Sequence, residues 1–352
     1  MSRRHSPRRA VCLTVALAAA CGGTGGGPTT PVTPVAPVTP VTPTNTVRDV
    51  HDPGVAVENG VYVVFSTGYG IPVRRSRDLK QWEAAGTVFT GGLPPNAGTA
   101  VPGVQDPWAP DASYFNGVWH LYYALSTFGS QRSAIGVATS PTLDPSAATT
   151  RWTDQGIVVQ SAPGVSYNAI DPTVVLDADG QPWLAWGSFW GGIKLRRLDA
   201  ATGKPSAADA TTYSLAARQD TAATSGPASG QAIEAPSIVR RGAYYYLFAS
   251  YDACCQGAAS TYNIRVGRSA AVTGPYVDRN GVDMAVGGGT VVLASEGTVR
   301  GPGGQSVLVD GAQYYLVHHF YDRADNGTPT LQVRPLTWDA ADWPAAGAPL
   351  AP

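Results

Sequence analysis

Four carboxylates that are far apart in the sequence stand beside prolines in similar short motifs. They are Asp52 in His51-Asp52-Pro53, Asp111 in Ala109-Pro110-Asp111, Asp171 in Ile170-Asp171-Pro172, and Glu234 in Glu234-Ala235-Pro236. Converging carboxylates have two common uses. They bind a hard cation, or they form an acid and base pair in which one group stays protonated because like charges raise its pKa. The motifs therefore indicate a catalytic or cation-binding site, provided that the fold brings them together.

The elements that must bring them together form a repeat. A turn glycine followed by a strand rich in aromatic residues occurs five times, and the successive glycines are separated by 57, 63, 62 and 69 residues. These glycines are Gly60, Gly117, Gly180, Gly242 and Gly311. A glycine turn before such a strand is typical of a β-hairpin, and about sixty residues suffice for a four-stranded blade. We therefore predict an all-β fold, a five-bladed β-propeller.

Each carboxylate lies shortly before a turn glycine, where the first hairpin of a blade begins. We expect it at the start of the innermost strand, at an equivalent place in its blade, facing the central channel. The fifth repeat has Gly301-Pro302-Gly303 instead of a carboxylate. A simpler alternative is that each acid only caps strand-end amides, but the change from Asp to Glu in one repeat favours a distinct chemical task.

The composition agrees with this architecture and argues against several other classes. The 352 residues include 41 Gly and 29 Pro, which favour short strands and turns over long helices. The formal charge is only −1, so nucleic acid is not an expected partner. The sequence has no HExxH motif, no G-x-S-x-G motif, no glycine-rich phosphate loop and no Cys/His metal spacing. Zinc-protease, serine-hydrolase and kinase chemistry therefore lack their residues.

Residues 1–20 have the features of an export signal, with four arginines followed by an apolar run from Ala10 to Ala20. The run is too short for a permanent membrane helix. Leu17-Ala18-Ala19-Ala20-Cys21 is similar to a bacterial lipoprotein signal, in which the cysteine is lipid-modified, and an ordinary secretory signal is the alternative. We expect an exported protein that is held at a membrane through a lipid on Cys21, or is otherwise secreted or periplasmic.

The chain divides into three parts. After the signal, residues 21–46 are rich in Gly, Thr and Pro, a composition that stays extended and is expected to form a linker. Residues 47–352 are expected to form the propeller. Beyond Cys21, the only cysteines are the adjacent pair Cys254-Cys255. Such neighbours can close a strained disulfide ring, but two small half-buried thiols is the simpler interpretation, and we expect no disulfide framework to hold the fold.

Several stretches, in their order along the chain, resemble glycoside hydrolase family 43, and most of all its endo-1,5-α-L-arabinanases. They are Val50-His51-Asp52-Pro53, Trp108-Ala109-Pro110-Asp111, the run from Ser126 to Gly136, Asn168-Ala169-Ile170-Asp171-Pro172, Gly187-Ser188-Phe189-Trp190, Ala232-Ile233-Glu234-Ala235-Pro236, Cys254-Cys255-Gln256-Gly257 and Gly301-Pro302-Gly303. Each is weak alone, but the ordered set spans all five predicted blades.

The resemblance implies an inverting hydrolase that cleaves internal α-1,5-L-arabinofuranosidic bonds, with arabinan or arabino-oligosaccharides as its partner. It implies that Asp52 is the general base, Glu234 the general acid, and Asp171 a carboxylate that tunes and orients the acid. An inverting pair leaves room for the attacking water, with the carboxyl groups roughly 6.5–9.5 Å apart. The residues expected to contact the substrate are Trp108, Asp111, Phe128, Asn168, Ser188 and Trp190. Trp108 and Phe128 would offer their rings to sugars, and packing between blades is the alternative for both.

The same resemblance implies a calcium ion on the propeller axis. His319-Phe320-Tyr321-Asp322 is similar to a family stretch whose histidine projects into the channel and holds calcium, largely through water. His318 should point the other way in a strand, so we assign the metal to His319 and expect its strand to be the innermost of the fifth blade. A buried, hydrogen-bonded core histidine is the alternative.

Two alternatives to an endo-acting enzyme stay open at this point. An exo-acting arabinofuranosidase or xylosidase of the same family would share the catalytic residues and differ in the loops that close the cleft. A non-catalytic carbohydrate-binding propeller would keep the aromatic residues and could lose a carboxylate. In each case we expect a monomer.

Overall fold

The computed structural model describes residues 45–224 and 231–351. The predicted signal, Cys21 and nearly all of the predicted linker lie outside the described residues. Within these two ranges the regular secondary structure is almost entirely β-strand, and none of the helices is long and apolar enough to cross a bilayer. The helices are α1 Ala97–Ala100 and three 3-10 turns, Gly257–Ala259, Met284–Val286 and Arg323–Asp325.

The strands of the described residues form five antiparallel sheets, each from one continuous stretch of chain. The first blade contains β1 Gly54–Glu58, β2 Val61–Phe65, β3 Pro72–Ser76 and β4 Glu83–Thr87. The second contains β5 Pro107–Phe115, β6 Val118–Leu125, β7 Ser133–Ser140 and β8 Thr153–Ser161. The third contains β9 Thr173–Leu176, β10 Pro182–Trp186, β11 Ile193–Asp199, β12 Lys204–Pro205 and β13 Tyr213–Ala216. The fourth contains β14 Ile233–Arg241, β15 Tyr244–Tyr251, β16 Asn263–Ser269 and β17 Thr290–Leu293. The fifth contains β18 Val299–Asp310, β19 Gln313–Asp322, β20 Thr328–Trp338 and β21 Pro344–Ala346.

The blades are arranged in a closed ring. Their first strands contact one another in the order β1, β5, β9, β14 and β18, and β18 returns to β1. The segment before β1 strengthens this closure, because the Val50 amide donates to the Pro329 carbonyl (3.2 Å) and the Leu331 amide to the Val47 carbonyl (2.8 Å). The five-bladed propeller predicted from the repeats is confirmed.

The fold begins slightly before the predicted boundary. Asn45 and Thr46, which the sequence assigned to the linker, hydrogen-bond to the first blade at Lys80 and Trp82. The indole of Trp82 is buried, so these two residues belong to the packed domain.

The hydrophobic core consists of five clusters, one between each pair of neighbouring blades. In β6, for example, Leu121 and Tyr123 pack with residues of the first blade, whereas Tyr122 packs with Trp186 of the third. Successive side chains of a strand point to opposite faces, so one sheet supplies both of its interfaces. Burial of a Leu or Phe side chain stabilises the folded protein by about 1.5–3 kcal/mol. The buried side chains of second strands such as β6 therefore help to hold neighbouring blades together.

Each blade has a residue with left-handed backbone in its first strand or just before it. These residues and their φ angles are Asp52 (50°), Ala109 (41°), Asp171 (56°), Ala235 (51°) and Gly304 (56°). Register shifts mark β-bulges at this place in β5, β14 and β18, whereas Asp52 and Asp171 precede β1 and β9. Strand pairing shows the extra residue: Trp108 pairs with Ala124 and Asp111 pairs with Tyr122, which leaves Ala109 and Pro110 opposite a single residue. Bulges redirect side chains and are frequent beside active sites, and the candidate catalytic residues lie at these five positions or next to them.

Candidate active site

Relative to the left-handed residue of each blade, the four carboxylates occupy three different positions. Asp52 and Asp171 are themselves the left-handed residues of their blades, just before β1 and β9. Glu234 immediately precedes the bulge of the fourth blade, the position of His51 in the first. Asp111 follows the bulge by two residues, the position of Gly54. The prediction that all four acids occupy equivalent positions is therefore wrong. In each of these blades the proline directly follows the left-handed residue, but Glu234 precedes that residue and Asp111 follows the proline.

A cleft of about 480 Å³ opens on the face of the ring where the first strands begin. Eight of the ten predicted site residues line it: Asp52, Trp108, Phe128, Asn168, Asp171, Ser188, Trp190 and Glu234. A second, water-sized cavity of about 30 Å³ lies among the first strands and also borders Asp52 and Asp171. The propeller thus brings the three predicted catalytic carboxylates to one cleft, although they come from three blades.

Asp52 is held in its ionised form. Burial alone would raise its pKa, but the neighbouring His51 and His319 and a hydrogen bond from Thr67 lower it to about 2. His51 Nδ1 lies 2.7 Å from Oδ2 of Asp52, and the Thr67 hydroxyl donates to the same oxygen at 2.8 Å. A carboxylate with these partners can accept a proton but does not hold one near neutral pH.

Glu234 and Asp171 have the opposite tendency. Burial raises the pKa of Glu234 to about 7, with the charge of Asp52 acting in the same direction and a hydrogen bond from Ser188 opposing it. Burial and the charges of Glu234 and Asp52 raise the pKa of Asp171 well above its usual range. The Ser188 hydroxyl donates to Glu234 Oε2 at 2.5 Å, and the Ala235 amide donates to Asp171 Oδ2 at 3.1 Å. Below pH 7, an ionised Asp52 therefore shares the cleft with a protonated Glu234.

The predicted substrate contacts differ in how they face the cleft. Phe128 is 83% exposed in the loop between β6 and β7, so its ring is not used in blade packing. Trp108 is half-buried and Trp190 is buried. Asn168 is buried and accepts a hydrogen bond from the Ser133 hydroxyl at 2.7 Å. Phe128 therefore offers the largest open apolar surface among them.

Asp111 lies away from the cleft. It borders the small axial cavity, where the Val174 amide donates to its Oδ2 at 3.0 Å. Burial raises the pKa of Asp111 to about 7. Its predicted contact with the substrate is not supported by this placement, because its carboxyl group ties neighbouring first strands together beside the axis.

His319 reaches the axis from an unexpected strand. It lies on β19, the second strand of the fifth blade, where it pairs with Gly303, so the prediction of an innermost strand is wrong. The first strand leaves room for the ring because a Cβ on Gly304 would lie 2.4 Å from Asp52 Oδ1 and 2.8 Å from the His319 ring. His319 Nδ1 accepts from the Asp52 amide at 3.1 Å. His318 instead lies beside Gln332 and Arg334, as expected for alternation along a strand.

Sequence reasoning missed several residues that complete the site. His51 and Thr67 bond directly to Asp52, and the Tyr321 hydroxyl lies 2.7 Å from His51 Nε2. The sequence did contain a signal for Thr67. Thr67 follows the turn glycine Gly60 at nearly the same spacing as His319 follows Gly311, which places the two residues at corresponding points of their blades. Tyr321 gave no comparable signal, since only the closed ring brings it to His51.

The cysteine prediction is also wrong. Cys254 and Cys255 are joined by a disulfide, and both line the cleft. They lie in the loop between β15 and β16, where Cys255 has a left-handed φ of 65°. This tight backbone brings the two neighbouring sulfurs together, which composition alone does not reveal.

Comparison with known proteins identifies the family. The model of glycosyl hydrolases family 43 matches residues 42–344. The chain belongs to this family. Its members include the extracellular endo-α-(1→5)-L-arabinanase 1 of Bacillus subtilis, which is 42% identical over 306 residues, 84% of this chain and 87% of that protein. The extracellular exo-α-(1→5)-L-arabinofuranosidase ArbA of Cellvibrio japonicus is 41% identical over 299 residues, 84% of this chain and 86% of that protein.

A solved family 43 structure has the same fold. The α-L-arabinanase of Cellvibrio cellulosa, complexed with arabinohexaose, superposes with a TM-score of 0.81 at 40% identity, over 86% of this chain and 96% of that chain. The family resemblance drawn from the ordered motifs is confirmed, and with it the assignment of the protein as a glycoside hydrolase.

Proposed function

We propose that the protein is an inverting, endo-acting hydrolase of the α-1,5-L-arabinofuranosidic bonds of arabinan. The observation that carries this proposal is the pair of unlike carboxyl groups in one cleft, Asp52 with a lowered pKa and Glu234 with a raised one. Glycosidases need such a pair, one group to give a proton and the other to take one. The arabinanase relatives and the arabinohexaose complex support arabinan as the substrate.

The chemistry divides between the two groups. Asp52, as general base, removes a proton from a water molecule that attacks the anomeric carbon. Glu234, as general acid, gives its proton to the departing sugar oxygen while the glycosidic bond breaks, so the products gain one water in total. Asp171 is a positioning residue: its carboxyl group accepts the backbone amide that follows Glu234, next to the acid whose charge helps to raise the pKa of Asp171. Phe128 provides an exposed ring for a sugar.

Endo action is the first choice and exo action the second, because the two named relatives differ in this respect at nearly the same identity. Linear 1,5-arabinan incubated with the protein should give a mixture of oligosaccharides at early times, whereas exo action would release one short product from the start. Proton NMR during the same reaction should show the inverted anomer first. Retention of configuration, or no cleavage at all, would contradict the proposed reaction.

The pH profile gives a second prediction. The acid must be protonated, so kcat/KM should fall as the pH rises through about 7, the pKa of Glu234 in this site. The Ser188 hydrogen bond lowers that pKa, and we expect Ser188→Ala to move the alkaline limb to higher pH. Ser140→Ala is a matched control, because Ser140 is equally buried but bonds to Thr142 in the second blade. If the alkaline limb of the pH profile is unchanged in Ser188→Ala, Ser188 does not set the pKa of the catalytic acid.

The residues around His319 fit a cation held mainly by water. His319 Nε2 is buried and has no hydrogen-bond partner among the described residues, a polar atom that a cation-bound water would satisfy. His51, Asp52 and His319 each offer one ligand atom, and these atoms lie within 4.8 Å of one another. Calcium prefers oxygen ligands, and one imidazole nitrogen must be supplemented by water. We propose that His319 helps to hold calcium, which when bound supplies positive charge that favours ionised carboxylates.

Chelation tests this metal proposal. Prolonged treatment with a chelator should lower both turnover and the melting temperature, and added calcium should restore both. His319→Ala should have the properties of the chelated protein and lose its response to calcium. His120→Ala is the control, since His120 is a buried histidine that stacks on Phe115 in the second blade. Chelator-insensitive activity, with no ion found by elemental analysis, would make His319 a structural residue.

We also infer that the protein is exported. The signal-like residues 1–20 support this inference, and two relatives are named as extracellular. Lipid attachment at Cys21 and a monomeric state remain part of the proposal. A labelled fatty acid incorporated into the protein, but not into Cys21→Ser, would support the anchor.

A further inference from the structure

A chain of hydrogen bonds links the disulfide loop to Asp52. The Cys255 amide donates to the Tyr321 hydroxyl oxygen at 2.8 Å, and this oxygen lies 2.7 Å from His51 Nε2. His51 Nδ1 lies 2.7 Å from Asp52 Oδ2. The loop, the fifth blade and the first blade are thus connected through two side chains.

The donors of this chain follow from its ends. An ionised carboxylate only accepts hydrogen bonds, so His51 Nδ1 must carry a proton and donate it to Asp52. The Tyr321 oxygen accepts the Cys255 amide. His51 Nε2 accepts from the Tyr321 hydroxyl when the ring is neutral and donates to the same oxygen when the ring is charged, a form that Asp52 favours by raising the pKa of His51 against the effect of burial. Stacking on His319, with ring centroids 3.9 Å apart, fixes the plane of the His51 ring. Each contact therefore restricts how Asp52 can turn.

The loop that supplies the Cys255 amide is itself held in place. The Ala253 carbonyl accepts amides of Thr261 (2.9 Å) and Tyr262 (3.1 Å), which closes the base of the loop. Tyr262 rests on the fifth blade at Gly303, where a Cβ would lie 2.2 Å from its ring. Within this frame, the disulfide fixes the peptide between Cys254 and Cys255. Cys255 is exposed, so its sulfur is open to small reagents in solution.

We propose that the Cys254–Cys255 disulfide loop is a positioning element for Asp52, acting through Tyr321 and His51. The proposal rests on the role of Asp52 as general base. A dithiol reductant would test it directly: its thiolate attacks one sulfur, its second thiol completes the exchange, and two protein thiols and one oxidised reductant result. The open loop would no longer hold the Cys255 amide against Tyr321, and Asp52 would lose part of its orientation.

A different role for the same disulfide makes a different prediction. The sulfurs line the cleft and could simply touch the sugar chain. Loss of such a contact would raise KM and would be independent of Tyr321. Loss of positioning would lower kcat, leave KM within about twofold, and depend on Tyr321.

The experiment compares Tyr321→Phe, the double variant Cys254→Ser with Cys255→Ser, and the unchanged protein before and after dithiothreitol. We expect Tyr321→Phe and reduction each to lower kcat by about threefold to tenfold, the effect of losing a hydrogen bond. The double serine variant should match the reduced protein and ignore dithiothreitol. Tyr276→Phe is the control, because Tyr276 is buried and its hydroxyl donates to the Val272 carbonyl, away from the cleft.

The decisive measurement is reduction of Tyr321→Phe. If the loop acts through Tyr321, dithiothreitol should lower kcat of this variant less than it lowers kcat of the unchanged protein. Equal effects, a change confined to KM, or full activity of the reduced protein would overturn the proposal.

Failure of the proposed function would look different. If the unchanged protein does not cleave arabinan, the function fails, and the hydrogen-bond chain can still be tested by nitrogen NMR of the His51 ring. The shifts should report a proton on Nδ1 and should move in Tyr321→Phe and in the reduced protein. An unchanged His51 spectrum in both would contradict the chain itself.

Discussion

Glu234→Gln is expected to lower kcat on linear arabinan by about a hundredfold to ten-thousandfold, the usual contribution of a positioned general acid. The amide has the same shape and still accepts the Ser188 hydroxyl, so the fold should be kept, but it has no acidic proton for the departing sugar oxygen. The measurement is initial-rate kinetics, with melting temperatures to show that the variant is folded.

The leaving group shows whether the lost function is proton donation. An arabino-oligosaccharide that carries a nitrophenyl group releases nitrophenolate, which leaves without receiving a proton. Glu234→Gln should therefore recover much of its activity on this substrate. The unchanged protein should gain far less activity when arabinan is replaced by the nitrophenyl substrate. Near-normal cleavage of arabinan by Glu234→Gln would remove Glu234 from the role of acid.

Asp52→Asn is expected to be as damaging as Glu234→Gln, by about a hundredfold to ten-thousandfold, but for a different reason. The amide cannot take a proton from the attacking water, and it replaces the charge that His51 and Thr67 stabilise. A good leaving group should not restore this variant. Azide should, because this anion attacks the anomeric carbon without losing a proton.

The control for Asp52→Asn is Asp177→Asn. Asp177 accepts the Trp183 indole in the third blade and does not line the cleft, so this variant should keep normal turnover. If Asp52→Asn and Glu234→Gln respond alike to the leaving group and to azide, the division into base and acid is wrong even though both residues matter.

The fold was largely predictable because its information is local. Each blade comes from one continuous stretch, and its first hairpin is marked by a turn glycine such as Gly60 or Gly117 before an aromatic strand. The period of these turns then determines the number of blades. The motif order was sufficient for the family, and the convergence of Asp52, Asp171 and Glu234 on one cleft followed from the ring.

The finer geometry was not predictable because it depends on single residues and on contacts across the ring. Asp52 is itself the left-handed residue of its blade, whereas Asp111 lies two residues after the left-handed Ala109, and no composition rule marks this difference. His319 reaches the axis only because Gly304 lacks a side chain. The Cys254–Cys255 disulfide depends on a left-handed residue in a loop, and Tyr321 meets His51 only after the first and fifth blades close.

The offset of Glu234 from Asp52 has a consequence for symmetry. In a ring of five identical blades, five identical carboxylates around the axis would share one environment and one affinity for protons. Asp52 and Asp171, both left-handed residues, keep this equivalence, whereas Glu234 stands one position earlier. Departure from five-fold symmetry therefore gives the base and the acid different surroundings within one cleft.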